Sequence, residues 1–166
     1  MDIPAVAARR LLDPHDERRQ IIHRRLREIP FGLPITSLDS DEPEVTIAKE
    51  AMRQMHDEIR TLLATDQRSS NRWVFASKLC ARERPYLFPV RDNKVCEYLG
   101  ARKLRRGIGM SQFDNDVQLF GYLMSHRQIS DAISEIRTTL ESEGARLDDT
   151  DLRLLDVALW TAAAFA

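Results

Sequence analysis

Apolar residues recur at every third or fourth position along most of the chain, the spacing that gathers side chains on one face of an α-helix. Ile21, Ile22, Leu26 and Ile29 follow this spacing after Asp13-Pro14, an N-cap residue and a proline suited to a first helical turn, and Pro30 ends the pattern. Residues 29–41 hold Pro30, Gly32 and Pro34 and read as a loop of extended backbone. A second helix opens at the acids around Pro43, where the helix dipole favours negative charge. Its apolar face carries Val45, Ile47, Ala48, Ala51, Met52, Met55, Ile59, Leu62 and Leu63. The polar stretch 67–71 reads as a hinge, and a third helix follows over about 71–82, with Trp73, Val74, Ala76, Leu79 and Cys80 on one side.

Arg84-Pro85 stops that helix, and Leu87-Phe88-Pro89-Val90 is an apolar connector through which Pro89 forbids helix. Asp92 then caps a fourth helix with Val95, Cys96 and Leu99 inward and Gly100 as its stop. Residues 102–109 are basic, contain glycine and read as a flexible loop. Ser111 or Asp114 caps a helix bearing Val117, Leu119, Phe120, Tyr122 and Leu123. Ile129, Ile133, Ile136 and Leu140 mark the next, ended by Gly144. The last starts at the acids of 148–151 and places Leu152, Leu154, Leu155, Ala158, Leu159, Ala162 and Phe165 inside, with Trp73 and Trp160 both read as core. The pattern predicts an all-α fold of six to eight helices in one domain spanning 1–166.

Composition narrows this picture. Apolar residues make up 43% of the chain, too many for disorder, and six glycines are too few for the turns of an all-β sandwich. Cys80 and Cys96 lack the second pair that a zinc site needs, and His15, His23, His56 and His126 show no ligand spacing. No metal or cofactor is expected, and the cysteines read as buried, reduced thiols of a cytoplasmic protein. No apolar run reaches membrane-spanning length, so no membrane partner is expected.

Charge changes the picture more. The net charge is −1, yet residues 68–106 hold 11 Lys and Arg against three acids, a balance of +8, while the remainder carries −9. A cationic middle between acidic flanks points to a polyanion such as DNA, to an acidic protein, or to a second copy of the chain. Within it, Lys78 lies on a helix, a proline-bounded connector follows, and Asp92 stands at the next helix start.

This block, residues 73–100, resembles the helix-hairpin-helix DNA glycosylases, in which a lysine-bearing helix, an x-Pro-x-x-x-Pro-Val-x-Asp run and a second helix follow one another. The resemblance implies a reduced glycosylase-like bundle with Lys78 and Asp92 as the catalytic pair. The carboxylate would stabilise positive charge on a sugar, and the amine would attack its anomeric carbon. Arg82, Arg84, Arg91, Arg102, Lys103, Arg105 and Arg106 would be the phosphate contacts. Residues 69–77 lack the glycine-rich turn that grips phosphate in that superfamily, so binding without catalysis is the expectation, and whether the chain is an enzyme stays open. The rival expectation is a non-enzymatic scaffold whose basic middle docks an acidic protein or another copy. Both require folding to gather these cations around one concavity.

Overall fold

Why the chain makes the turns it does is clearest at its helix ends. A computed structural model describes residues 5–64, 72–101, 111–145 and 150–166. Helix α1 (Ala5–Leu12) was not legible as an element, because its only fully buried side chain is Ala7, which carries almost no periodic signal. Helix α2 (Glu17–Glu28) begins three residues later than Asp13-Pro14 suggested: Asp16 is its N-cap, accepting from the Arg18 and Arg19 amides. Asp16 wins because it also takes Arg10 Nε at 2.9 Å, whereas Asp13 accepts only the His15 amide in the turn before. Chain 29–41 is not wholly extended, since Ile35–Asp39 winds into a 3-10 turn that buries Ile35 and Leu38.

Helix α3 (Pro43–Leu62) is the spine, packed against α1, α2 and the 3-10 turn. Val45, Ala48, Ala51, Met52, Met55, Ile59 and Leu62 are buried on it as expected. Ile47 is not, being 55% exposed, and the place of an apolar residue on the buried face is taken by His56. Helices α4 (Arg72–Glu83) and α5 (Asn93–Tyr98) flank the connector. Asp92 caps α5 by accepting the Lys94 amide at 2.8 Å, and Gly100, at φ +69°, ends it in the left-handed conformation that glycine adopts without strain.

Helix α6 (Gln112–Ser125) is capped by Ser111, α7 (Arg127–Ser142) follows at once, and α8 (Asp151–Phe165) is capped by Thr150. Gly121 lets α6 lie close on the 3-10 turn, where a Cβ would meet the Ile35 carbonyl at 3.4 Å. The described residues contain eight α-helices and no strand, so the fold is all-α. None of these helices is long and apolar enough to cross a membrane. Helix α8 departs most from expectation. Leu152, Leu154 and Leu155 are buried, but Trp160 is 51% and Phe165 87% exposed, because α8 lies along the edge of the bundle and only one of its faces meets α5 and α7.

Candidate functional site

The proline-bounded connector at 85–90 is where the elements meet. Leu87, Phe88 and Pro89 are buried, so the backbone here needs partners inside the protein. Thr150 Oγ1 donates to the Pro85 carbonyl at 2.9 Å, the Ile35 amide to that of Tyr86 at 2.9 Å, and Arg153 to that of Phe88. The Val90 amide donates to Asp156 Oδ2 at 3.0 Å. The start of α8 therefore grips the connector along its length.

Beyond Val90 the chain is still extended, with Asp92 at φ −121°, ψ 150°. Successive side chains in extended backbone point to opposite sides. Val90 and Asp92 consequently line one cleft, of about 340 Å³, while Arg91 between them turns into the core. Lys78 of α4 and Val95 of α5 line the same cleft, and α8 closes it with Arg153, Asp156, Val157 and Trp160. Lys78 and Asp92, the pair singled out by sequence, thus share a concavity. Cations and carboxylates balance within it, so it is not the basic groove that the charge pattern suggested.

Asp156 is the unusual group here. It is 7% exposed, its Oδ2 is shared between the Val90 amide and the Arg153 guanidinium at 2.6 Å, and its Oδ1 meets no donor among the described residues. Burial pushes its carboxyl up to about 6, against the pull of Arg153 and the Val90 amide. Trp160 stands one helical turn further along α8, on the same face, half in solvent. Trp160 was read from sequence as core, which its exposure corrects, and Asp156 was not singled out, although a lone aspartate inside the apolar run 152–166 was the available signal.

Arg91 was expected at phosphates and is instead 2% exposed. Its Nε and Nη2 donate to Asp116 Oδ2 at 3.0 and 2.7 Å, and its guanidinium lies between the rings of Trp73 and Phe113, 5.0 and 5.1 Å from their centroids. Its Nη1 is 3.3 Å from His56 Nε2. Nε2 also lies 3.3 Å from the Trp73 carbonyl, so it accepts from Arg91 in one tautomer and donates to Trp73 in the other. Burial first, then Arg91 beside it, pushes His56 down to about 3, so the ring is neutral. Ser77 Oγ, donating to the Trp73 carbonyl at 2.9 Å, and Cys96, with its Sγ 3.8 Å from Asp116 Oδ2, complete a polar knot sealed inside the fold.

Arg84 is also withdrawn from the surface role expected of it. Its three nitrogens donate to the carbonyls of Ile29, Leu26 and Glu83 at 3.0, 2.6 and 2.8 Å, placing a positive charge on the C-terminal end of α2, where the dipole favours it. Of the expected phosphate contacts, Arg82 is exposed on α4, one turn from Lys78. Arg102, Lys103, Arg105 and Arg106 lie outside the described residues. Cys80 and Cys96 are buried and not disulfide-bonded, and burial pushes the Cys80 thiol up. The described residues contain no group of side chains able to hold a metal ion.

A protein-family model described as a family of unknown function, DUF6308, matches residues 1–163. The chain belongs to that family. No curated protein and no solved structure matches it. Membership in DUF6308 assigns no chemistry, so the function must be argued from the cleft itself.

Proposed function

We propose that this protein binds unpaired nucleic acid, taking one unstacked base into the cleft between α4, α5 and α8. The observation that carries the reading is the shared opening of Lys78, Asp92 and a half-exposed Trp160 onto one concavity. An indole face held at the rim of a cleft is a stacking surface, and a stacked base contributes about 1–3 kcal/mol. Lys78 lines the cleft, Arg82 lies one turn from it on α4 and Lys94 is exposed on α5, so both of these helices carry cations able to meet a phosphate backbone. Binding rather than lyase chemistry is the reading, because Asp92 already serves as the cap of α5 and Lys78 is exposed to solvent.

Fluorescence anisotropy with a labelled single strand at low salt tests it. Trp160→Ala is expected to weaken binding roughly 5- to 150-fold, the equivalent of one lost stack, with little change in thermal stability. Lys78→Ala should flatten the salt dependence by about 0.7 in the log–log slope if it meets one phosphate. A wild-type protein that shows no affinity for any strand, but dimerises as salt is lowered, would replace this reading with the scaffold one.

A further inference from the structure

We infer that the outward face of α2 is a track for the phosphate backbone of a nucleic acid, a second contact that rests on the nucleic-acid reading above but not on its cleft. Ile22 and Leu26 pack against the core, so the side chains opposite them meet solvent. Arg19, His23 and Arg27 follow one another at single-turn steps of about 6 Å, with Gln20 and Arg24 in the row beside them. Arg19, Gln20, His23 and Arg27 line a shallow depression of about 480 Å³ with no acid among them.

The arginines of α2 divide into two sets. Arg18 and Arg25 are answered within the protein, by Glu58 at 2.6 Å and by Glu28 at 2.7 Å. Arg24 and Arg27 are exposed and meet no carboxylate among the described residues. Arg19 donates through Nε to the Leu11 carbonyl at 3.0 Å, which fixes one edge of its guanidinium beside the depression. Residue type also points to phosphate: the first 48 residues hold seven arginines and no lysine. Lysine would supply the same charge, but a guanidinium adds a planar fork that takes two oxygens of one phosphate.

Other polyanions fit less well. An anionic membrane calls for apolar side chains on the docking helix, and this face of α2 has none. A second copy would have to offer carboxylates, yet its surface acids stand beside arginines of their own helices, Glu50 by Arg53, Asp57 by Arg60 and Asp131 by Arg127. A strand offers regularly repeated anions whose counterions are released on binding.

The test is anisotropy with a labelled thymidine strand of about 20 nucleotides, from about 50 to about 200 mM salt. Arg24→Gln/Arg27→Gln is expected to bind roughly tenfold more weakly and to flatten the log–log salt slope by about 1.4, with an unchanged thermal midpoint. Arg27→Lys, which keeps the charge, should keep the slope, and Arg127→Gln on α7 should leave both slope and affinity as they are. An unchanged slope in the double variant, an equal loss in Arg127→Gln, or a slope lost in Arg27→Lys would overturn the inference. Trp160→Ala would still weaken binding in those cases if the cleft reading holds. The converse, binding lost in the double variant and kept in Trp160→Ala, would leave the track standing and remove the cleft. Binding of no strand would remove both, and sedimentation with phosphatidylserine vesicles, or dimerisation at low salt, abolished in the double variant would then give the face to a membrane or to a second copy.

Discussion

Two charged regions lie back to back across the three residues Val90, Arg91 and Asp92, and they handle burial in opposite ways. On one side, Arg91 and Asp116 are almost fully buried and pair directly through one carboxylate oxygen, with His56, Trp73 and Phe113 closing the shell around them. On the other, Asp156 is nearly as buried and is likewise held through one oxygen, but it lines a cleft together with Trp160. A buried charge paired deep in the core ties helices together, and one that lines an opening stands where a ligand would enter. The alternation of an extended connector is what assigns neighbouring residues to such different duties.

The comparison breaks most visibly at Arg91. Arg91→Ala leaves Asp116 buried without its partner and should cost about 3–5 kcal/mol in urea denaturation. Adding Asp116→Leu should recover a large part of that loss, because the stranded charge goes with it. A loss under ~1 kcal/mol in Arg91→Ala would mean that the knot does not hold the fold.

The two sides should also answer pH with opposite sign. His56 has a folded value near 3 against an ordinary 6.5, so the unfolded chain takes up a proton that the folded protein refuses. Its contribution is full above pH 6.5 and is lost as pH falls toward 3, at up to ~1.4 kcal/mol per pH unit. Asp156 has a folded value near 6 against an ordinary 3.8, so its contribution is full below 3.8 and is lost as pH rises through about 6. Between these limits the two slopes oppose each other. Urea midpoints measured across that window should climb more steeply with pH in Asp156→Asn than in the wild type, and should fall with pH in His56→Gln. Unchanged slopes in both variants would mean that neither group is buried as described.

The smallest effect is expected at Asp92, which belongs to both stories. Asp92→Ala should cost about 1 kcal/mol as a lost cap, while Asp92→Asn, which also caps well, should be within ~0.5 kcal/mol of wild type. If Asn keeps stability but loses strand binding, Asp92 contributes charge to the cleft. If it keeps both, Asp92 is only the cap of α5.

How much of this was legible follows the reach of each interaction. The cap at Asp92, the stop at Gly100 and the apolar face of α3 were readable because each depends on residues within a turn or two. Helix α1 escaped because alanine buries without leaving a period. His56 and Asp116 sat on apolar faces of their helices, a signal that could have marked them as core, whereas Arg91 carried none. Lys78 and Asp92 were picked out, but the groups that give their cleft its character, Asp156 and Trp160, were not.

The amino-acid order by itself determined an all-helical chain, the caps and stops of several of its helices, and a middle third rich in cations. Those features are local, set by periodicity, caps, prolines and plain counting. Only the tertiary structure decided what each cation does. Arg91 is neutralised by a carboxylate 25 positions away, and Asp156 meets the Val90 amide across 66. A charge becomes a core clamp or a cleft contact according to what stands opposite it, and nothing in its own neighbourhood along the chain encodes that.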